Sequence, residues 1–345
     1  MKVFKRLIAW AMISLVLQLG LLFFLDKIVF RHTSYFNSKK IELNKDKSKE
    51  VNASLPNNAE SVQVSFDGKY ILYYVDNNPY VMEAKTGEAK QIEGDNDAQI
   101  LFLTWIPDRN RLAALQKVRL SSTNKVQLVT YNPKDVSQTE VTNVCSYTDN
   151  FKVNNFTVSS ITGVYYIDVS TNGNNSIVYR IDINNNLTKF PVNAESILSM
   201  CVVPHQDRLI YQDEESRKFY ETNPKKELTF NTNKNLELLG IDRQDVIYIG
   251  EVDGKKITSI IYGTLDENTT EWKKVNIDSP IDKEDVFFSD KSEIYVNDNL
   301  KGVVENITSG KKMDYEGRLI KMSNDFIALE DNSGKVTYKN ISDKK

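Results

Sequence analysis

The stretch VSFDGKYILYY at residues 64–74 places a polar turn between two short apolar strands. Similar units of strand, polar turn and strand recur along the chain. They lie at residues 64–74, 104–115, 158–169, 201–213, 239–250, 287–298 and 320–331. Their turns advance from about residue 67 to about residue 324 in six steps, a mean period of about 43 residues. Because one four-stranded propeller blade has this length, the repeat predicts a β-propeller.

The apolar pattern after residue 61 has a period of two and not the helical period. The runs are short, rich in Val, Ile, Tyr and Thr, and bounded by Asn, Asp, Gly or Lys, which is typical of strands and turns. We therefore predict an all-β domain over residues 61–345 with six to seven four-stranded blades. Aromatic residues are expected in the packing between blades: Tyr74, Trp105, Tyr166, Tyr211, Tyr248 and Tyr295. Six blades plus a closing strand, or a pair of β-sandwiches, are the structural alternatives.

The turn sequence SFDGKYI at residues 65–71 resembles the S-P-D-G-K-x-I/L-A repeat of TolB-like and dipeptidyl-peptidase-type propellers, which are WD40-like in architecture. Degenerate copies occupy residues 105–113 and 203–210. The Asp-Gly pair suits a tight turn between adjacent strands. The resemblance covers about residues 61–342 and implies the fold. Dipeptidyl peptidases carry their catalytic triad in a separate hydrolase domain, which we do not expect here, so their activity is not implied.

Residues 7–25, LIAWAMISLVLQLGLLFFL, contain no charged side chain. At about 1.5 Å per residue a helix of this length spans about 28 Å, close to the hydrocarbon thickness of a bilayer. No small-residue cleavage site follows the run, so it predicts an uncleaved signal anchor, a single N-terminal transmembrane helix. Residues 1–6 are then a short cytoplasmic tail. Residues 26–60 are polar and predict a stalk with too little apolar surface to fold alone.

The location of the large domain follows from the anchor and the composition. Basic residues on the two sides of the apolar run nearly cancel, but short N-terminal tails usually stay in the cytoplasm and long domains translocate largely regardless of charge. We therefore expect an extracytoplasmic domain on the cell membrane. Abundant Lys, Asn and Ile suggest an AT-rich bacterial genome. The net charge of -3 and the absence of a basic stripe argue against a nucleic-acid partner.

The sequence contains no recognisable catalytic constellation. It has no nucleophile elbow, Walker A loop, dinucleotide fingerprint or HExxH motif. The chain has only two histidines, His32 and His205, and this small number nearly excludes a His-based general base or a multi-His metal site. We therefore assign no catalytic, cofactor-binding or metal-binding residue and no cofactor. Carboxylates are common in predicted turns, but sequence cannot place two of them about 5 to 10 Å apart as a glycosidase requires.

Two small groups of residues are the remaining candidates. Cys145 and Cys201 lie on predicted neighbouring blades and form either a disulfide, which would suit an extracytoplasmic domain, or two unpaired buried thiols. Tyr73, Tyr74 and Tyr80 are the densest group of tyrosines and are candidate rim contacts for a partner or a sugar.

These features predict a non-enzymatic, membrane-anchored protein of the bacterial cell envelope whose propeller acts as a docking scaffold. Propeller rims carry many loops on a rigid ring, which suits binding. The expected partners are envelope or membrane proteins, in a surface-polymer or secretion machine, or cell-surface polysaccharide. A carbohydrate-binding or carbohydrate-cleaving propeller is the main alternative, and an envelope sensor is a third.

Overall fold

The computed structural model describes residues 2–24, 51–173 and 175–341. The chain divides into two units, residues 1–47 and 48–345. The described part of the first unit is one helix, α1 (Lys2–Phe24). No helix in the described part of the chain has the length and hydropathy needed to cross a membrane, so the transmembrane helix predicted at residues 7–25 is not supported. Residues 26–50 of the predicted stalk lie outside the described ranges.

Seven antiparallel sheets make up the second unit and form the seven blades of a β-propeller. The strands of the first four blades are β1 (Glu60–Val64), β2 (Tyr70–Val75), β3 (Asn78–Glu83) and β4 (Ala89–Gln91); β5 (Gln99–Trp105), β6 (Leu112–Leu120), β7 (Thr123–Tyr131) and β8 (Gln138–Ser146); β9 (Lys152–Ser159), β10 (Val164–Ser170), β11 (Ile177–Ile181) and β12 (Leu187–Phe190); and β13 (Ile197–Val202), β14 (Leu209–Asp213), β15 (Phe219–Glu221) and β16 (Lys226–Leu228).

Blades 5 and 6 each have four strands and blade 7 has three. Their strands are β17 (Asn235–Ile241), β18 (Ile247–Asp253), β19 (Lys256–Gly263) and β20 (Lys273–Ile281); β21 (Val286–Phe288), β22 (Ile294–Asp298), β23 (Val303–Asn306) and β24 (Lys311–Asp314); and β25 (Arg318–Met322), β26 (Phe326–Glu330) and β27 (Val336–Asn340). Short 3-10 turns occur at Asp95–Asp97, Thr269–Glu271 and Lys283–Asp285.

Every repeat identified in the sequence is the first hairpin of one blade, so the predicted all-β propeller is confirmed with seven blades. The six-blade and sandwich alternatives are wrong. Within a blade the strands pair in chain order, and first strands contact one another, as β13 does with β9 and β17. The first strand of each blade is therefore the innermost. Of the six predicted aromatic packing residues, Tyr74 is half-buried. The other five are buried: Trp105, Tyr166, Tyr211, Tyr248 and Tyr295.

Residues 51–55 complete blade 7 and close the ring. Ser54 forms an antiparallel bridge with Lys335, the residue before β27. Three backbone hydrogen bonds join the segment to blades 7 and 1: Leu55 N–H to Gly334 O at 2.8 Å, Val336 N–H to Ala53 O at 2.9 Å, and Asn52 N–H to Ala84 O at 2.8 Å. A segment from the beginning of the propeller therefore supplies the fourth strand of its last blade.

The burial of this closing segment alternates as a strand requires. Ala53 and Leu55 are buried in one apolar cluster with side chains of blades 1 and 7, whereas Asn52 and Ser54 face solvent. The predicted stalk over residues 26–60 is thus too long at its end, because residues 51–60 belong to the propeller. The run VNASL is too short and too polar for its alternation to stand out in the sequence.

Replacing the buried Leu55 tests the closing segment. We expect Leu55→Ala to lower the free energy of unfolding by about 2 to 5 kcal/mol, because it leaves a cavity between the first and last blades. Urea unfolding of the full chain, followed by circular dichroism, measures the change. Ser54→Ala, on the exposed side of the same segment, is the control and should change stability by less than about 0.5 kcal/mol. Equal effects of the two substitutions would contradict closure by this segment.

Candidate functional site

The SFDGK turn of blade 1 shows how the repeat motif acts. Asp67 Oδ1 accepts the Lys69 N–H at 2.9 Å, which fixes the turn between β1 and β2. Gly68 has a φ of +75°, and a Cβ there would lie 2.8 Å from the Phe326 ring of blade 7. Glycine is therefore required both by the turn and by the neighbouring blade. Burial opposes ionisation of Asp67, but its hydrogen bonds outweigh this and lower the pKa of the carboxyl.

The corresponding turns of all seven blades lie at one end of the ring. We call this end the axial turn face; it consists of residues 65–69, 106–111, 160–163, 203–208, 242–246, 289–293 and 323–325. Each turn is joined to the next: Asn110 Nδ2 to Asp67 Oδ2 (2.9 Å), Arg109 Nη2 to Ser160 O (3.1 Å), Ser159 Oγ to Pro204 O (2.6 Å), His205 N–H to Asp245 Oδ1 (3.1 Å), Arg243 Nη1 to Asp290 Oδ2 (3.6 Å), Asp290 N–H to Asn324 Oδ1 (2.7 Å), and Ser323 Oγ to Phe66 O (3.2 Å).

One ion pair on this face crosses the ring. Arg243 Nη2 of blade 5 lies 3.8 Å from Asp108 Oδ2 of blade 2. Blades 2 and 5 are almost opposite in a ring of seven, so these side chains meet near the central axis. Burial raises the pKa of Asp108, but hydrogen bonds from Ser160 and Arg109 and the charges of both arginines lower it overall. The axis is therefore occupied at this end by charged side chains.

A cleft opens at the opposite end of the strands, between blades 6 and 7. Its volume is about 950 Å³, which falls in the range of ligand sites. We call it the acidic cleft because four carboxylates line it: Glu284, Asp285, Glu316 and Asp331. Its other lining side chains are three amides, one arginine and three apolar groups: Asn297, Asn299, Asn332, Arg318, Phe287, Leu319 and Ile320.

Hydrogen bonds hold the polar groups of the acidic cleft in place. Asp285 Oδ1 accepts the side-chain amides of Asn297 and Asn299 at 2.9 and 2.8 Å. The buried Tyr315 hydroxyl donates to Asn297 Oδ1 at 2.7 Å. Asp331 accepts two backbone N–H groups and a serine hydroxyl within its own turn, and the hydrogen bonds from Ser333 lower its pKa. These carboxylates are fixed acceptors, suited to binding a cation or hydroxyl groups.

The chain is similar to a solved structure of a prolyl endopeptidase, with a TM-score of 0.50 and 12% identity. That structure comes from a study of inter-domain dynamics in the catalysis and specificity of two such enzymes. The match covers 83% of this chain and 43% of that chain. A structure of the mitotic checkpoint complex matches with a TM-score of 0.49 and 10% identity, over 86% and 95% of the two chains. No family model and no curated protein matches.

The chain is a β-propeller in fold. The resemblance expected from residues 65–71 is thus confirmed at that level. The chain spans 43% of the length of the prolyl endopeptidase structure, and at 12% identity the likeness shows the fold alone.

Two buried carboxylates have shifted pKa values for structural reasons. Burial raises the pKa of Asp168, which is fully buried beneath Asn154 and Asn155. Burial would also raise the pKa of Glu251, but hydrogen bonds from Lys274 and several other donors outweigh it and lower the pKa to about 2. Neither carboxylate is accessible to a substrate, so neither is a candidate acid or base.

The three tyrosines predicted as rim contacts are only partly at the surface. Tyr73 is 3% exposed and stacks on Tyr80 with ring centroids 5.7 Å apart, so it is a core residue and not a rim contact. Tyr74 and Tyr80 are half-buried and pack against the cores beside blade 1. For these two the predicted binding role stays a prediction.

The cysteines do not form a disulfide; both are free thiols. Cys145 lies in β8 of blade 2 and Cys201 in β13 of blade 4, so a whole blade separates them. The prediction of neighbouring blades is wrong because the spacing of 56 residues spans more than one repeat. Burial raises the pKa of each thiol to about 11, which makes both poor nucleophiles.

The sequence analysis assigned no binding role to the residues of either surface feature. Within residues 2–24, 51–173 and 175–341, no group of three or more His, Cys, Asp or Glu side chains is placed to hold a metal ion. Glu316 of the acidic cleft, and Arg109 and Arg243 of the axial turn face, stand in ordinary charged turns, and Arg318 is the first residue of β25. The one shared feature is that Arg109 and Arg243 each directly follow an aspartate in the turn of their repeat, Asp108 and Asp242.

Removing the charge of Glu251 tests its structural role. Glu251 accepts Lys274 Nζ at 2.6 Å and Lys234 Nζ lies 3.2 Å away. Because its pKa falls from an ordinary 4.5 to about 2 on folding, the ionised group stabilises the native state by up to about 3 kcal/mol at neutral pH. That contribution is complete above about pH 5 and is lost as the pH falls towards 2. We expect Glu251→Gln to be destabilising by this amount at pH 7.

Urea unfolding at several pH values measures the difference, which should shrink steadily below about pH 5. Glu227→Gln is a matched control, since Glu227 pairs with Lys218 on the exposed surface, and it should cost less than about 1 kcal/mol. A Glu251→Gln deficit that stays constant down to pH 3 would show that the charge is not responsible.

Proposed function

We propose that this chain is a non-catalytic docking protein of the bacterial cell envelope, a propeller whose acidic cleft receives a basic segment of a partner protein. The acidic cleft is the observation that carries the proposal. Its four carboxylates face a volume of about 950 Å³ and are opposed by one arginine, Arg318, whose charge is paired with Glu330. A cationic group is therefore the favoured occupant.

The apolar part of the cleft supports a basic side chain over a simple cation. Phe287, Leu319 and Ile320 are half-buried lining residues. The aliphatic stem of a lysine or arginine packs against such a surface while its charged end stays with the carboxylates. Two of those carboxylates, Asp285 and Asp331, are already held by internal hydrogen bonds, so little ordering is needed on binding.

A docking role also fits the state of Asp331. General acid catalysis by a carboxyl group requires a raised pKa, whereas the pKa of Asp331 is lowered by its hydrogen bonds. Groups that remain ionised and hydrogen-bonded are suited to recognition. This supports binding without chemistry as the function of the acidic cleft.

Charge reversal at the rim of the cleft tests the proposal. The full-length chain is cross-linked in intact cells, captured by affinity, and its partners are identified by mass spectrometry. We expect recovery of one recurrent partner to fall about tenfold with Glu316→Lys, since like charges would meet across the interface. Glu140→Lys, at an exposed position of blade 2, is the matched control and should leave recovery unchanged. Equal recovery with both variants would contradict docking at the cleft.

Carbohydrate binding is the second candidate, favoured by the mixture of carboxylates, amides and an aromatic ring in one cleft. Asn299 and Asn332 are exposed amides that can bond to sugar hydroxyls. In this case Glu316→Lys would leave protein recovery unchanged and would reduce retention on a cell-surface polysaccharide matrix. Release of new reducing ends from that polysaccharide would show cleavage.

The envelope location is part of the proposal and rests on the sequence, in which residues 7–25 are uncharged, and not on a membrane-spanning helix in the described part of the chain. If this run anchors the chain and the propeller lies outside, alkaline phosphatase fused after Lys345 should be active in intact cells. Deleting residues 7–25 from the same fusion should abolish that activity. Activity of a cytoplasmic fluorescent reporter at the same position, with inactive phosphatase, would place the propeller inside the cell.

A further inference from the structure

On the axial turn face the acidic side chains are mostly buried or half-buried, and the exposed charged side chains are mostly basic. Its seven turns contain eight carboxylates, of which all but Asp325 are buried or half-buried. The exposed ionisable residues of these turns are Lys69, Arg109, His205, Arg243, Lys291 and Asp325. The exposed side chains of these turns are therefore mainly basic, although Lys69, Arg109 and His205 each lie within 3.1 Å of a carboxylate of the same face.

Turn geometry explains this separation. The carboxylates point inward because they accept backbone N–H groups that would otherwise be unpaired, as Asp67 does for Lys69 and Asp242 does for Gln244 and Val246. Asp108 is 13% exposed, whereas Arg109 and Arg243 beside it are 50% and 49% exposed. The cations are left as the outer layer.

Arg243 is available to a ligand. Its terminal nitrogens lie 3.8 Å from Asp108 and 3.6 Å from Asp290, both longer than a hydrogen bond. A guanidinium with free donors can bind a carboxylate through two parallel hydrogen bonds. It stands near the axis, where an incoming group can approach it from solvent.

An exposed apolar pair lies in the blade 3 turns that Arg109 reaches. Arg109 donates to the carbonyl oxygen of Ser160, next to Ile161, which is exposed. Ile183 is 70% exposed and lies over Gly163 of the same turn, since a Cβ there would be 2.9 Å from Ile183 Cγ1. Blade 3 is also the one blade whose axial turn contains no charged residue. Guanidinium donors and solvent-exposed apolar side chains thus lie on one surface.

We infer that the axial turn face binds an acidic polypeptide segment that carries an apolar side chain among its carboxylates. Arg243 and Arg109 would receive the carboxylates, and Ile161 and Ile183 the apolar group. Charge complementarity selects an acidic partner. The apolar pair favours a polypeptide over a purely anionic polymer, because protein interfaces depend on buried apolar contacts surrounded by polar ones. This face is at the opposite end of the strands from the acidic cleft, so the inference stands without the proposed function.

A peptide array tests this inference with the purified full-length chain. The array holds short peptides in which glutamate and leucine content vary independently, with lysine-rich peptides for comparison. We expect selective binding to peptides that contain both glutamate and leucine, weakened by raised salt. Arg243→Gln and Ile183→Ser should each lower the affinity for these peptides by about tenfold. Lys255→Gln, which removes an exposed charge from a turn at the other end of the strands, is the matched control.

Three results would overturn the inference. The first is no binding to any acidic peptide. The second is an equal loss with Arg243→Gln and Lys255→Gln, which would mean general charge attraction. The third is binding to glutamate peptides without leucine that is unaffected by Ile183→Ser and displaced by inorganic polyphosphate, which would indicate an anionic polymer as the ligand. Because Ile183 is exposed, its substitution keeps the test valid even if Arg243→Gln disturbs the ring.

Discussion

Packing between neighbouring blades is the constraint on which the whole propeller depends. A blade buries its faces only against the next blade, and the apolar clusters accordingly combine side chains from adjacent sheets. Tyr166 and Tyr211, for example, share one cluster although they belong to blades 3 and 4. A ring is the arrangement that leaves no blade with an uncovered face, and so both the closing segment and the joined axial turns follow from the same need.

The connections between blades differ at the two ends of the ring. This difference produces the axial turn face at one end and the acidic cleft at the other. At the axial turn face the innermost turns are tied to one another, so charged side chains fill the space near the axis. At the other end the connections between blades 6 and 7 leave a cleft that is held open by Asp285, Asn297 and Tyr315. The ring therefore carries an acidic cleft at one end and exposed basic side chains at the other.

Sequence alone predicts the repeat because each first hairpin is a local structure. The turn SFDGK specifies its own hydrogen bonds through Asp67 and its own backbone shape through Gly68. The strands that follow have a period-two pattern for the same local reason. The fold class and the positions of the blades are therefore readable from residues close together in the chain.

The candidate sites are not readable in this way, because they depend on contacts between distant residues. Asp108 and Arg243 lie 135 positions apart, and only the order of seven blades places them across one axis. Glu316 and Glu284 line one cleft because two connections converge there. Cys145 and Cys201 show the same limit, since their separation in sequence gave no reliable measure of their separation around the ring.

The closing segment also determines the stage of synthesis at which the propeller ring can close. Ala53 must wait for Val336, which is 283 positions later in the chain, before their backbone hydrogen bond can form. During synthesis the first blade therefore emerges with one face uncovered and keeps it so until the last blade is made. Folding dominated by such a long-range pairing is slow. The period before closure is when this protein is most open to aggregation, and a ribosome-stalled chain lacking blade 7 would expose the apolar face of blade 1 throughout.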